Sequence, residues 1–395
     1  MIVHGIVLTL TGLCLQVSGG TFDARPSGAP TATVQAPIVP TFLPSLRRNL
    51  PKQTITLPSG EQVDIGAHQT WKPICTGAES VSPEALERMV LRHELLTRRS
   101  GHVIDTTPDV MKIGAFNVVF VLSGSIPPAA PAAFAACESY IQSFFSDPIT
   151  ITINVSFQPL SPGVLGSTGS SSGYVSYSPA RAQIVQDMDA GVVDDTIQSF
   201  LPTTSTCPVR YTSSSAVTNE TRVFFNFAAW KAVDGTVSGA DASMTLNSNF
   251  AFDYDPSNGI GANQFSFQDI IIHETGHAMG FTSGGDFRFR DMDVMDLFRF
   301  QRTDGTGDYN PDTTGEFQVR PRLVAFNAPN DDHNSDFVSA EYRMSDGNPY
   351  QMSHFREQTP NIGLMDPALA PQQTFYPNFY STADLAVFDA IGYDY

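Results

Sequence analysis

The sequence predicts an α+β protein, with strands and helices ahead of one strongly apolar helix and little regular structure after it until a closing helix. Three observations carry this expectation. Between Ile113 and Phe252, β-branched and aromatic runs alternate with helical patterns. A strongly apolar helix starts at Ser266 and stops at Gly280. After Gly280, periodicity is nearly absent until Ser381-Thr382-Ala383-Asp384 opens an amphipathic helix, Leu385 to Ile391, which ends at Gly392.

Composition narrows the class. The chain has 395 residues, 41% hydrophobic and 16% charged, a net charge of −18 and a pI near 4.6. It is too long for one small domain, and apolar enough to bury a sizeable core. The acidic balance and the absence of a basic stripe argue against nucleic acid as a partner. It favours solubility, with steering of basic substrates as the sharper alternative.

Taken in order, residues 1–19 contain an apolar run, Ile6 to Val17, before the small residues Ser18-Gly19. The run is too short to span a bilayer and reads as a signal peptide, although no Lys or Arg precedes it. Residues 20–60 are rich in Pro, Thr and Ala and read as a flexible arm. Ser82-Pro83-Glu84 starts a helix through Leu86, Met89, Val90 and Leu95 to Arg98-Arg99. The body begins near Ile113. Phe116 to Leu122 is a strand, Pro127 to Phe145 an Ala-rich helix, and Ile149 to Phe157 an alternating strand. Gly163 to Gly173 reads as a Gly/Ser loop, Asp187 to Leu201 as a second helix, and Arg222 to Ala228 and Met244 to Phe252 as further strands.

The chemistry concentrates in Ile271-Ile272-His273-Glu274-Thr275-Gly276-His277-Ala278-Met279-Gly280-Phe281. On a helix, His273 and His277 share one face, one turn apart. Imidazole nitrogens at that spacing suit Zn²⁺, and Glu274 can act as base toward a metal-activated water. Ser266 as N-cap with Asp269 three residues on has capping-box spacing. Two imidazoles and a carboxylate on so apolar a helix need a reason, and a metal supplies one; a chance motif on a core helix is the competing explanation.

A third ligand is needed. In the short metzincin form, which the His273–His277 motif resembles, a His or Asp stands six residues after the second His; here that position is Ser283, a poor zinc ligand, so the third ligand is expected further on. Only His333 and His354 follow. His333 sits in the polar run Asp331-Asp332-His333-Asn334-Ser335-Asp336. His354 sits in Met352-Ser353-His354-Phe355, shortly before the turn Gly363-Leu364-Met365-Asp366-Pro367.

His-Glu-x-x-His-x-x-Gly-Phe, a long insertion, a lone His, a Leu-Met-x-Pro turn and a closing helix resemble the leishmanolysin-type metzincins and their secreted bacterial and fungal relatives. The specific motifs cover residues 265–395; upstream only the order of elements is alike. The resemblance implies a metzincin-like zincin fold: a twisted mixed sheet with helices in an upper lobe to 281, and an irregular lower lobe over 282–395 that ends in a helix. It implies one zinc held by His273, His277 and His354, 77 residues separating the last two (354 − 277), with Glu274 as base and Met365 as the Met-turn residue. It also implies that residues 20–99 are a propeptide, with Arg98-Arg99 a candidate processing site before a catalytic domain over 100–395; an extension that stays attached is the alternative. The chain ends at Tyr395 with no hydrophobic tail for a lipid anchor.

The function expected is a secreted zinc endopeptidase acting on protein or peptide substrates. A thermolysin-like site with Glu316 as ligand is a rival, and so is a secreted adhesion or binding protein that keeps the fold without turnover. The strand Met244 to Phe252 is expected to be the edge that pairs with substrate, an interior place being the alternative. Asp286, Asp291, Asp293 and Asp296 could bind Ca²⁺, but their spacing is not that of an EF-hand loop. Cys14 would leave with a signal peptide; Cys137 and Cys207 are a natural pair. Cys75 is then spare. It is a possible zinc-capping latency ligand, or it pairs with Cys207 instead. Asn154-Val155-Ser156 and Asn219-Glu220-Thr221 are glycosylation sequons. Nothing in the sequence sets the oligomeric state.

Overall fold

The structure, a computed structural model, describes residues 52–56, 62–69 and, from 115 to 395, all but 161–162, 189–194, 211–215, 234–236, 238, 285–291, 302–312, 320–334, 338–342, 346–350 and 359. The expected signal peptide, the helix from Ser82, Cys75, Arg98-Arg99, Asp286, Asp291 and His333 lie outside the described residues. Within the expected propeptide, β1 (Lys52–Thr56) and β2 (Gln62–Gln69) form an antiparallel pair. Then come β3 (Asn117–Ser123), α1 (Ala130–Gln142), β4 (Thr150–Gln158), β5 (Gly166–Ser176) and α2 (Tyr177–Asp187). The short pair β6 (Cys207–Val209) and β7 (Thr218–Glu220) precedes β8 (Arg222–Asn226), α3 (Phe227–Val233) and β9 (Ala242–Asn247). A two-residue parallel pair, β10 (Phe252–Asp253) with β11 (Phe265–Ser266), leads into α4 (Phe267–Met279). After it the described regular elements are few: β12 (Arg299–Gln301), α5 (Thr314–Val319), β13 (Ser335–Phe337) and α6 (Thr382–Ala390).

The main sheet has the order β1-β2-β5-β9-β4-β3, with β8 also paired to β5. β3, β4 and β9 run parallel; β5 runs antiparallel to β9, β8 and β2. The protein is therefore mixed in both senses, helices with a mixed sheet, as the α+β expectation requires. Alternation explains the strands. Val118, Phe120, Ile151, Ile153 and Val155 point into the core, while Val119 and Val121 on β3 stay exposed. Each fully buried aliphatic or Phe side chain contributes about 1.5–3 kcal/mol. α1 packs the covered face through Phe134, whose ring meets Phe267 of α4 edge-on at 5.4 Å.

The C-terminal segment closes onto the same core. Phe388 of α6 meets Phe145 and Phe281, and the Tyr393 hydroxyl donates to the Met279 carbonyl at 2.7 Å, satisfying a carbonyl at the end of α4.

Three sequence expectations need correction. The Gly/Ser run expected as a loop is most of β5, the longest strand described. Small residues are what its place demands: it lies under α4 and pairs along both edges, so bulky side chains have no room. The helix expected over 187–201 lies earlier: α2 ends at Asp187, and only a 3₁₀ turn, Asp195–Phe200, is described further on. The strand from Met244 is interior, between β4 and β5, and stops at Asn247. There the Asn247 side chain accepts from Leu160 N and donates to Val164 O, taking over from the ladder.

Candidate metal centre

α4 begins as its sequence predicts. The Ser266 side chain accepts from Asp269 N, and Asp269, buried, accepts from the Ser266 hydroxyl, Thr374 Oγ1 and Phe375 N. The helix start is thereby pinned to a distant stretch of chain. Every residue of α4 is buried. It stops at Gly280, whose φ of 121° is closed to ordinary side chains. The chain turns there, and the Phe281 amide donates back to Gly276 O at 3.0 Å.

The turn and the sheet together fix His277. Its Nδ1–H donates to Phe281 O at 2.7 Å. Its own carbonyl accepts from Ser170 Oγ of β5 at 3.0 Å and from Asn226 Nδ2 of β8 at 2.8 Å. Asn226 is held in turn by Thr282 Oγ1. His273 Nδ1–H donates to Leu364 O at 2.6 Å. A carbonyl can only accept, so in both rings the proton sits on Nδ1 and Nε2 carries the lone pair.

His354 arrives from the far side. Its carbonyl accepts from Ser345 N at 3.0 Å, and the next amide, Phe355 N, donates to Met365 O at 3.0 Å. Buried Arg299 ties the same stretch down by donating to the carbonyls of Met352 and Ser345. His277 Nε2 then lies 3.1 Å from His273 Nε2 and 3.2 Å from His354 Nε2, and all three rings are fully buried. Among the described residues these three form the one group of His, Cys, Asp or Glu arranged to hold a metal ion.

Two lone pairs facing each other at this distance repel unless a cation lies between them, so the donor set fits a metal such as zinc. Burial, and then the neighbouring His277 and His354, hold His273 well below the usual histidine range. Its nitrogen is therefore a neutral ligand at pH 7.

Glu274 follows His273 on the buried helix and lies against β5: a methyl group at Gly166 would stand 2.6 Å from its Oε1. Met365 lies under the pair, its thioether against Gly276. The structure thus brings together His273, Glu274, His277, His354 and Met365. Ser283 is not a ligand; its hydroxyl donates to Asp296 Oδ1 at 2.7 Å. Glu316, on α5, is outside the group. Asp293 and Asp296 form a capping box on the 3₁₀ turn Val294–Phe298. Cys137 and Cys207 are both free thiols, against the expected pairing. Cys137 faces the Gln268 carbonyl at the start of α4, while Cys207 lies in β6.

Sequence reasoning missed Ser170 and Asn226, whose side chains reach α4 from β5 and β8, and Arg299. It also missed a second duty of Asp384. Asp384 shows in sequence only as the fourth residue of a capping box; in the structure it also accepts from Leu364 N and Met365 N. No family model, curated protein or solved structure matches this chain, so the resemblance rests on the motifs and on the geometry just described.

Proposed function

We propose that this protein is a secreted zinc-dependent endopeptidase of leishmanolysin-like metzincin organisation. The observation that carries the reading is the convergence of three buried imidazole Nε2 atoms, two of them on one helix beside a carboxylate. Bound there, zinc would serve as a Lewis acid toward the scissile carbonyl and lower the pKa of the attacking water. His273, His277 and His354 would hold it. Glu274 takes the proton of the attacking water and returns it to the leaving amine. The burial of the site keeps bulk water away from that proton transfer.

Substrate would lie along β5, the strand beside Glu274 and His277. Residues 172–174 of β5 pair with both β2 and β8, so β2 covers one edge of β5 there. With β2 removed, that edge would offer main-chain partners to an extended peptide. Secretion is inferred from residues 1–19 alone; among the described residues no helix is long and apolar enough to cross a membrane. A casein or gelatin assay tests the reading. Hydrolysis abolished by a chelator and restored by zinc is expected; a metal-loaded, processed protein without peptidase activity would favour the adhesion alternative.

A further inference from the structure

Asp384 is the fourth residue of the capping box that opens α6, and capping alone would account for its bonds to Ser381 N (2.7 Å) and Ser381 Oγ (2.8 Å). It does more. Its Oδ2 also accepts from Leu364 N at 2.9 Å, and its Oδ1 accepts from Met365 N at 3.0 Å. The carbonyls of those two residues face the opposite way, toward the metal centre. Leu364 O takes the Nδ1 proton of His273, and Met365 O takes the amide of Phe355, next to His354. One fully buried carboxylate thus grips, from behind, the two residues whose carbonyls orient one ligand and tether the segment bearing another.

The approach is close by construction. A methyl group on Gly363 would lie 2.5 and 2.6 Å from the two Asp384 oxygens and 2.6 Å from Ser381 Oγ. Glycine at 363 is what lets the turn reach the carboxylate.

We propose that Asp384 is the positioning residue of the metal centre, setting the Leu364 and Met365 carbonyls that fix the His273 tautomer and the His354 segment. This rests on the metal-centre reading above, but it makes claims about the metal-free protein too. The physical logic is that of a ligand imidazole oriented by the acceptor on its other nitrogen, carried one bond further out. Asp384 touches neither metal nor substrate. An amide at 384 would turn one of the two acceptors into a donor facing the turn's N–H groups.

The experiment compares Asp384→Asn with Ser381→Ala. The second variant weakens the same helix cap yet leaves the bonds to Leu364 and Met365. Imidazole ¹⁵N–¹H spectra of the metal-free proteins report the His273 Nδ1–H, and chelator competition gives the zinc dissociation constant. Asp384→Asn should lose or shift the His273 Nδ1–H resonance and weaken zinc about 10–100-fold, with Ser381→Ala staying within about two-fold of wild type. An unchanged resonance and zinc constant in Asp384→Asn would overturn the proposal, as would equal effects of the two variants. Should Asp384→Asn fail to fold, amide exchange in the wild-type protein decides: protected Leu364 and Met365 amides support the grip, and exchange at the unprotected rate refutes it. A wild-type protein that binds no zinc would remove the peptidase reading, while the resonance and the exchange rates would still judge the role of Asp384.

Discussion

Met365 packs its thioether onto the α-carbon of Gly276, so closely that a methyl group there would stand 2.5 Å from Sδ and 3.0 Å from Cε. Gly276 lies between Glu274 and His277 in the helix, and Met365 bears one of the turn's two carbonyl contacts, Leu364 the other. Gly276→Ala should therefore destabilise. The alanine gains about 0.8–1 kcal/mol of helix propensity, but overpacking a full core costs about 1–3 kcal/mol. Chemical denaturation should show a net loss, and the loss should shrink in a Met365→Ala background. Additive losses in the double variant would mean that the two side chains do not compete for space.

His354→Ala should abolish stoichiometric zinc binding, because its Nε2 completes the set with His273 and His277. His333→Ala should retain one zinc per chain. Metal content after dialysis decides this, and the reverse pattern would move the third ligand to position 333.

Glu274→Gln should keep the fold and the zinc and lose turnover by about 10²–10⁴-fold, since an amide cannot accept the proton of the attacking water. Peptidase activity near the wild-type level would remove Glu274 from the role of base.

Asp366, in the turn after Met365, is held up to about 8, chiefly by burial and then by the nearby Asp384 and Glu357. A carboxyl whose folded pKa lies above its unfolded value of 3.8 keeps its proton longer in the native state. Its contribution to stability is complete below that unfolded value and is lost as pH rises through about 8. Asp366→Asn cannot ionise, so its stability should fall less than that of wild type between pH 5 and about 8.5, a difference of a few kcal/mol at about 1.4 kcal/mol per pKa unit. Parallel urea midpoints for the two proteins across this range would show that Asp366 is already ionised in the native state.

β2 holds β5 from Ser171 to Tyr174, one residue beyond Ser170, which bonds the His277 carbonyl. A protein beginning at residue 100 should therefore expose more of that edge and bind an extended peptide along β5. Comparing peptide affinity of the truncated and full-length chains tests this; equal affinities would place the peptide on another surface.

The local pieces were legible before any folding was considered. Helix α4 with its Ser266 cap and Gly280 stop, the His273–His277 spacing and the Ser381–Asp384 cap of α6 all follow from interactions within a few residues, which composition and period expose. The third ligand could be narrowed to His333 or His354, but His354 and Met365 were singled out through resemblance, because nothing local marks a residue 77 positions downstream as a ligand. The tertiary structure decided what depends on neighbours brought from afar. The Gly/Ser run became β5 because α4 and three strands surround it, a setting that favours small side chains over strand formers. β9 became interior because β5, earlier in the chain, took the place beside it. Cys137 and Cys207 stayed apart because one is on a helix against α4 and the other on a separate short strand pair. The grip of Asp384 on Leu364 and Met365 was invisible for the same reason: a carboxylate and two amide N–H groups carry no mark in sequence of which partner they will meet once the chain has closed.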